Sequence, residues 1–253
     1  MRSFPVLLII ILLFAGSDKI FAQEPDEKND SVSDIVLLEK QWTLGLVLNT
    51  NGWGLRLRKG KNITFLRQRL WEIEYSTYKS PKEIRTVNPY FSDAKSYIYG
   101  KLNYLSFLRG GIGFQHILNR KPYWGGVQLS ALYYGGLSIG ITKPVYLYII
   151  RVTSLTEYEI VEEKYNPAIH TMENIYGRGS FLAGITHLGF YPGLYVKGGL
   201  EFEFGTKNRR INSLEGGATL DFSPIPVPIM AYNPKQNFFL TLYLSFSLGK
   251  RYN

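Results

Sequence analysis

From Gln41 onward the chain alternates, residue by residue, between apolar side chains and side chains that are charged, hydroxylic or absent. The stretch Leu194 to Gly205, LYVKGGLEFEFG, sets Leu194, Val196, Leu200, Phe202 and Phe204 against Tyr195, Lys197, Glu201 and Glu203. A period of two is the spacing of the two faces of a β-strand. Eight such segments can be read, at about 41–50, 53–61, 68–78, 98–118, 124–142, 188–205, 211–223 and 237–252. The fifth has a candidate continuation in YLYII. Asn51-Gly52 reads as the turn of a first hairpin. After it, turns near 62–67, 119–123 and 205–210 are short, and connections near 79–97, 150–186 and 223–236 are long. An even strand count, with short turns on one rim and long loops on the other, is the plan of an all-β, antiparallel transmembrane barrel.

The chemistry of the two faces bears on which face meets lipid. One holds Trp53, Leu55 and Leu57, then Trp71, Ile73 and Tyr75, then Leu240, Leu242, Leu244, Phe246 and Leu248. The other carries Arg56, Arg58, Lys101, Arg109 and Lys197 against Glu72, Glu74, Glu201, Glu203, Glu215 and Asp221. Five cations against six anions is close to the neutrality that a closed, self-paired interior requires. A soluble sandwich or lipocalin-like barrel would show the same alternation with the faces exchanged. The balance of charge and the many Gly and Ser residues among the charged positions favour the small lumen, which must find room for Arg, Glu and Tyr. Eight strands leave an interior just wide enough for side chains, so the expectation is a plugged barrel. Trp42, Trp53, Trp71, Tyr123, Trp124 and Tyr252 fall near strand ends, where interfacial girdles lie.

The first residues point the same way. Arg2 precedes an apolar run from Val6 to Ala15, and Ile20-Phe21-Ala22 precedes Gln23. That is the pattern of a secretory signal peptide over 1–22, too short in its apolar part for a spanning helix. Residues 23–40 open polar and read as a flexible periplasmic arm, and 41–253 as the barrel, placed in the outer membrane with both termini in the periplasm. The formal charge of +9 admits acidic partners, and the export signal directs that expectation to membrane lipid (phospholipid or lipopolysaccharide) or an envelope protein rather than nucleic acid. The chain has no Cys, which excludes disulfides and thiolate metal sites.

Few residues suggest chemistry. The pairs Gly110-Gly111, Gly125-Gly126, Gly135-Gly136, Gly198-Gly199 and Gly216-Gly217 sit in strands and in no phosphate-binding frame, so they read as aids to strand coiling. Of three histidines, His116 lies low on the fourth strand and His170 in the second long loop. His187 lies near Ser180, and with Glu173 these would make a nucleophile, base and orienting carboxylate. The ordinary reading, loop and rim residues without catalysis, is preferred, and neither a metal site nor a cofactor is expected. The short-turn rim is basic: Lys59, Lys61, Arg67, Arg69, Arg120, Lys121, Lys207, Arg209, Arg210, Lys250 and Arg251, with no acidic residue in those turns. Contact with anionic lipid phosphates explains it, and docking of an acidic periplasmic partner is the alternative. The loop 79–97 mixes Lys79, Lys82, Arg85 and Lys95 with Tyr90, Phe91 and Tyr97 and is a further candidate surface.

The final segment, FFLTLYLSFSLGKRYN, resembles the C-terminal signal of small eight-stranded outer-membrane barrels of Gram-negative bacteria, the OmpA-like class, although Tyr252 and Asn253 replace the usual terminal Phe. The wording of NGWG, NPYF, AKSYIYGKLN and KPYWGGV is similar to that of uncharacterised Bacteroidota barrels. The resemblance implies fold and location, and hardly any activity. The reading is therefore a structural or interaction component with a filled lumen. Alternatives are a lipid A-modifying enzyme, a narrow channel, or a subunit of a secretion or barrel-assembly complex.

Overall fold

The computed structural model describes residues 39–64, 66–91, 93–120, 126–152, 158–205 and 209–252. The expected signal peptide and the arm up to residue 38 lie outside these, as do Lys121, Tyr123, Trp124 and Lys207. Among the described residues the strands are β1 (Lys40–Asn49), β2 (Gly52–Asn62), β3 (Arg67–Tyr78), β4 (Arg85–Thr86), β5 (Tyr97–Ile98), β6 (Asn103–Asn119) and β7 (Gln128–Pro144). They continue as β8 (Tyr146–Val152), β9 (Tyr158–Lys164), β10 (Ile175–Arg178), β11 (Gly189–Phe204), β12 (Arg210–Val227) and β13 (Gln236–Tyr252). Eight of them close a barrel in the order β1-β13-β12-β11-β7-β6-β3-β2, with β1 also hydrogen-bonded to β2. Each pair is antiparallel, so the barrel is an up-and-down meander without a free edge.

The alternation read in the sequence is the alternation of burial. In β13, Phe239, Thr241, Tyr243, Ser245 and Ser247 are buried while Leu240, Leu242, Leu244, Phe246 and Leu248 are exposed. An exposed apolar face around a closed barrel with a charged interior is the inverse of a soluble protein, and it is what lipid as solvent demands. At a tilt of ~40° the 17-residue strands β6, β7 and β13 stand roughly 40 Å tall, against an apolar band of about 25 Å. The strands are therefore taller than the apolar band.

The structure revises the boundaries at that rim. The fourth segment does not begin at 98: Gly100 adopts φ 75° and breaks the chain, so Tyr97–Ile98 pairs with Arg85–Thr86 and the barrel strand starts at Asn103. YLYII does not prolong β7. After Pro144 the chain leaves the barrel and β8 joins β9 and β10 in a three-stranded sheet, so the stretch 150–186 contains strands of its own. The Pro-rich stretch after 223 also begins as strand. Pro224 and Pro226 fall where pairing with β13 skips from Phe222 to Val227, an irregularity that tolerates residues without an N–H. The first turn is at Thr50-Asn51. Gly52 follows it, packed so closely on β3 that a Cβ would come 2.2 Å from the Thr77 carbonyl oxygen.

Candidate functional site

The lumen is built in layers. At the long-loop rim Tyr78, Leu105, Phe107, Val227, Ile229 and Phe239 form an apolar plug. Its rings meet edge to face, with Tyr78–Phe239 centroids 5.3 Å apart and Phe107–Phe239 5.2 Å apart.

Beneath the plug lies an ionic network. Arg109 donates from Nε and Nη2 to Asp221 at 2.9 and 2.7 Å, and from Nη1 to Glu74 at 2.6 Å and Ser76 at 2.7 Å. Lys197 bridges Glu74 and Glu72, the latter at 3.0 Å. Arg58 donates to Glu72 at 2.7 Å and to both oxygens of Glu215 at 2.5 and 3.0 Å. Arg56 reaches Glu215 at 3.1 Å and the hydroxyls of Ser245 and Ser247 at 2.7 and 3.0 Å. Tyr243 donates to Glu215 at 2.6 Å. Four cations (Arg56, Arg58, Arg109, Lys197) thus face four carboxylates (Glu72, Glu74, Glu215, Asp221), and all eight are buried. Buried charges are tolerable on these terms, paired and with remaining polar capacity hydrogen-bonded.

Large rings share this space because the strands beside them carry glycine at the inward positions. Tyr195, Gly136 and Gly111 lie in one cross-strand row, as do Tyr243, Gly217 and Gly199. A Cβ on Gly111 would fall 2.6 Å from the Tyr195 hydroxyl, and one on Gly217 2.7 Å from that of Tyr243. The inward member of these glycine pairs is a seat for a ring, a role that the reading as coiling aids missed. The signal was available in the strand parity, which puts tyrosine and glycine on the same face.

Three expected members of the network, Lys101, Glu201 and Glu203, stand outside the central eight. Lys101 is a correction: the break at Gly100 takes it out of the strand, and it pairs with Glu83 of the first long loop at 2.7 Å. Burial lowers its ammonium pKa, and Glu83 opposes that shift. Arg251, expected on the basic rim, turns inward and pairs with Glu203. Glu201 accepts a bond from Gln115 at 2.6 Å. Counting Arg251 with the four central cations, five face six acids (5 − 6 = −1), so Glu201 is the acid left over.

The long-loop rim carries a head with its own core: Tyr97, Val145, Leu147, Ile149, Tyr165 and Ile175. Buried Asn88 ties the first loop to it, donating to the Ile175 carbonyl at 2.8 Å. His170 is buried there and accepts at Nδ1 from the Asn166 N–H at 3.1 Å, with Glu163 3.7 Å from its Nε2. Burial pushes the imidazole below its ordinary pKa, more than Glu163 raises it.

Among the described residues no hydrogen bond joins Ser180, His187 and Glu173 to one another. Leu182 N–H donates to the Ser180 hydroxyl at 3.4 Å, and Ser180 N–H donates to Glu162 rather than Glu173. His187 Nδ1 lies 3.0 Å from the hydroxyl of its neighbour Thr186. Glu173 is exposed, and what it contributes is its backbone carbonyl, to Asn88. Among the described residues no group of three or more His, Asp or Glu converges on a metal position. His116 faces outward opposite Arg67.

At the other rim, Lys59, Lys61, Arg67, Arg69, Arg210 and Lys250 point outward and are exposed, as is Arg209 in the turn before β12. Arg120 follows the end of β6. Lys40, absent from the sequence reading, is on the same outer face.

No family model matches the chain, and no curated protein does. Solved barrels are similar in outline. Ail, the attachment invasion locus protein of Yersinia pestis, solved with the heparin analogue sucrose octasulfate, is 10% identical over 85% of this chain and 96% of its own, with a TM-score of 0.38. Neisserial surface protein A is 10% identical over 85% and 95%, with a TM-score of 0.38. The N-terminal barrel domain of Pseudomonas aeruginosa OprF is 9% identical over 83% and 96%, with a TM-score of 0.32. Values this low transfer no residue role. The description of the chain as a closed eight-stranded antiparallel barrel with an apolar outer face rests on its own register and burial.

Proposed function

We propose that this chain is an outer-membrane barrel whose lumen is sealed by side chains, whose ends lie in the periplasm, and whose head is a surface for interaction. The observation that carries this reading is the division of labour along the axis. The lumen holds an apolar plug over a neutral ionic network, which leaves no reason for a through-path. The head, by contrast, is a packed unit with a core of its own and with exposed apolar groups, among them Val152, Tyr158, Ile169 and Met172. Exposed apolar surface on an ordered support is where partners bind. A loop that served only to connect strands would need neither the sheet β8–β10 nor the buried Asn88.

The test is purification of the tagged chain from outer membranes in mild detergent, with co-purifying protein and lipid identified by mass spectrometry. A parallel sample has residues 146–178 replaced by a short turn. The reading expects a component held by the intact chain and released from the headless one, and no conductance from either in planar bilayers. A steady ion current from the intact chain, or a component retained equally without the head, contradicts it.

A further inference from the structure

The outer wall at the rim of the chain ends is ordered in two directions. Across the strands, cross-strand partners form rows. One runs Arg210, Lys250, Trp42, Lys59, Trp71 over β12, β13, β1, β2 and β3. The next runs Tyr252, Lys40, Lys61, Arg69, Phe114 over β13, β1, β2, β3 and β6. Arg210 therefore faces Lys250 directly, and Lys40, Lys61 and Arg69 stand side by side. Like charges directly opposite one another destabilise a sheet. Among the described residues none of these cations has an ion pair, and none of the outward positions in either row is acidic.

Along the strands, the order is equally regular. From rim to midplane the outer face reads Lys40, Trp42, Leu44 on β1 and Lys61, Lys59, Leu57 on β2. It reads Arg69, Trp71, Ile73 on β3, Arg210, Asn212, Leu214 on β12 and Lys250, Leu248, Phe246 on β13. Cation above, aromatic or aliphatic below, is the order of a lipid standing against the wall, with phosphate at the surface and acyl chains beneath. Among the described residues the outward faces of β6, β7 and β11 end in Leu118, Leu129 and Phe204, with Arg120 just after β6. Between Arg209, Arg210, Asn212, Leu248 and Lys250 runs a groove of about 580 Å³. It brings three cations to its upper end and an apolar side chain to its lower.

We infer that this arc binds anionic phospholipid, with the phosphate of one headgroup held in the groove between Arg210 and Lys250. The lipid supplies the counter-charge that the rows lack. A soluble acidic partner would satisfy the cations and leave the apolar lower half of the groove unexplained. The inference rests on the chain being membrane-embedded, which the experiment reports separately.

The full chain is folded into nanodiscs of equimolar phosphatidylglycerol and phosphatidylcholine, and lipid retained on the protein is weighed by native mass spectrometry after disc removal. Heat-dependent gel migration reports barrel formation in each sample. Retained lipid is expected to be enriched in phosphatidylglycerol, and Arg210→Gln/Lys250→Gln is expected to reduce that enrichment about fivefold or more. Lys59→Gln/Lys61→Gln, on a separate part of the arc, is expected to reduce it too, so a fold defect in one pair does not decide the matter. Lys164→Gln/Lys235→Gln, at the opposite rim, removes equal charge and is expected to change nothing. Equal retention of the two lipids by the folded wild type, or equal loss in the opposite-rim control, overturns the inference. So does enrichment that survives both arc variants. Capture of an acidic protein by the arc with no lipid preference would assign the surface to protein docking instead.

Discussion

Removing the carboxylate of Glu215 tests the energetics of the lumen most sharply. Glu215 is fully buried and accepts four hydrogen bonds, one from Arg56, two from Arg58 and one from Tyr243. Glu215→Gln keeps the shape but sets an amide N–H₂ against two guanidinium groups and leaves four cations facing three carboxylates. Truncating one partner of a buried pair costs ~3–5 kcal/mol because the other charge stays behind. A loss of about 4 kcal/mol is expected, a large part of a typical ~5–15 kcal/mol stability. The double variant Arg58→Gln/Glu215→Gln leaves Arg56, Arg109 and Lys197 against Glu72, Glu74 and Asp221, three against three, and so recovers neutrality. It is expected to be more stable than the sum of the single losses by about 2 kcal/mol. Equilibrium unfolding in urea from lipid vesicles, followed by tryptophan fluorescence, gives all four corners of the cycle. A single-variant loss below about 1 kcal/mol, or strict additivity, would refute the claim that these charges act as one compensated network.

Three further outcomes follow from particular contacts. Tyr243→Phe deletes a hydrogen bond to a carboxylate and is expected to cost about 1.5–3 kcal/mol, whereas the buried Tyr195 hydroxyl has no partner among the described residues, so Tyr195→Phe is expected to be neutral or slightly stabilising in the same assay. Phe239→Ala is expected to cost about 3–5 kcal/mol through the cavity it leaves in the plug, yet to remain non-conducting, because the ionic layer beneath still closes the lumen; an open channel would place the seal in the plug alone. The buried imidazole of His170 has a lowered pKa, so the unfolded head binds protons more readily than the folded one, and the head is most stable above the ordinary value of about 6.5. That stability falls as pH drops through 6.5 toward the folded value, and hydrogen exchange over residues 158–178 is expected to speed up between neutral and mildly acidic pH in the wild type and much less in His170→Gln.

The barrel was legible because period-two alternation sorts each strand into two faces, and balanced charge among small residues marked one of them as the interior. That held for Arg56 and Arg58, for Glu72 and Glu74, and for the inward hydroxyls of β13. Errors arose where parity was extended past a break or set aside. Lys101 has the right parity for the lumen but lies beyond Gly100, whose positive φ redirects the chain, and nothing in the residue pattern distinguishes that glycine from those inside strands. Arg251 is the reverse: its parity with Ser247 and Gly249 points inward, and grouping it by position with the basic turn obscured this. The head was harder. Its length was visible, but β4 pairs with β5 over two residues each, and β9 is YEIVEEK, whose charge reads as solvated loop. The assembly of such short pieces depends on packing around Leu147, Ile149 and Ile175, which is tertiary information. Ser180, His187 and Glu173, read in the sequence as ordinary loop and rim residues, show the same limit, since closeness in sequence does not set side-chain direction in an irregular loop.

The central claim is that one face of each of the eight barrel strands meets lipid and the other fills a closed lumen. The chain has no cysteine, so single cysteines can be placed along β13 and labelled with a small environment-sensitive fluorophore in vesicles of brominated lipid. The account predicts strong quenching from Leu240→Cys, Leu242→Cys and Leu244→Cys and weak quenching from Thr241→Cys and Ser245→Cys, alternating along the strand. Quenching of the two sets to the same extent, or with the order reversed, would contradict it.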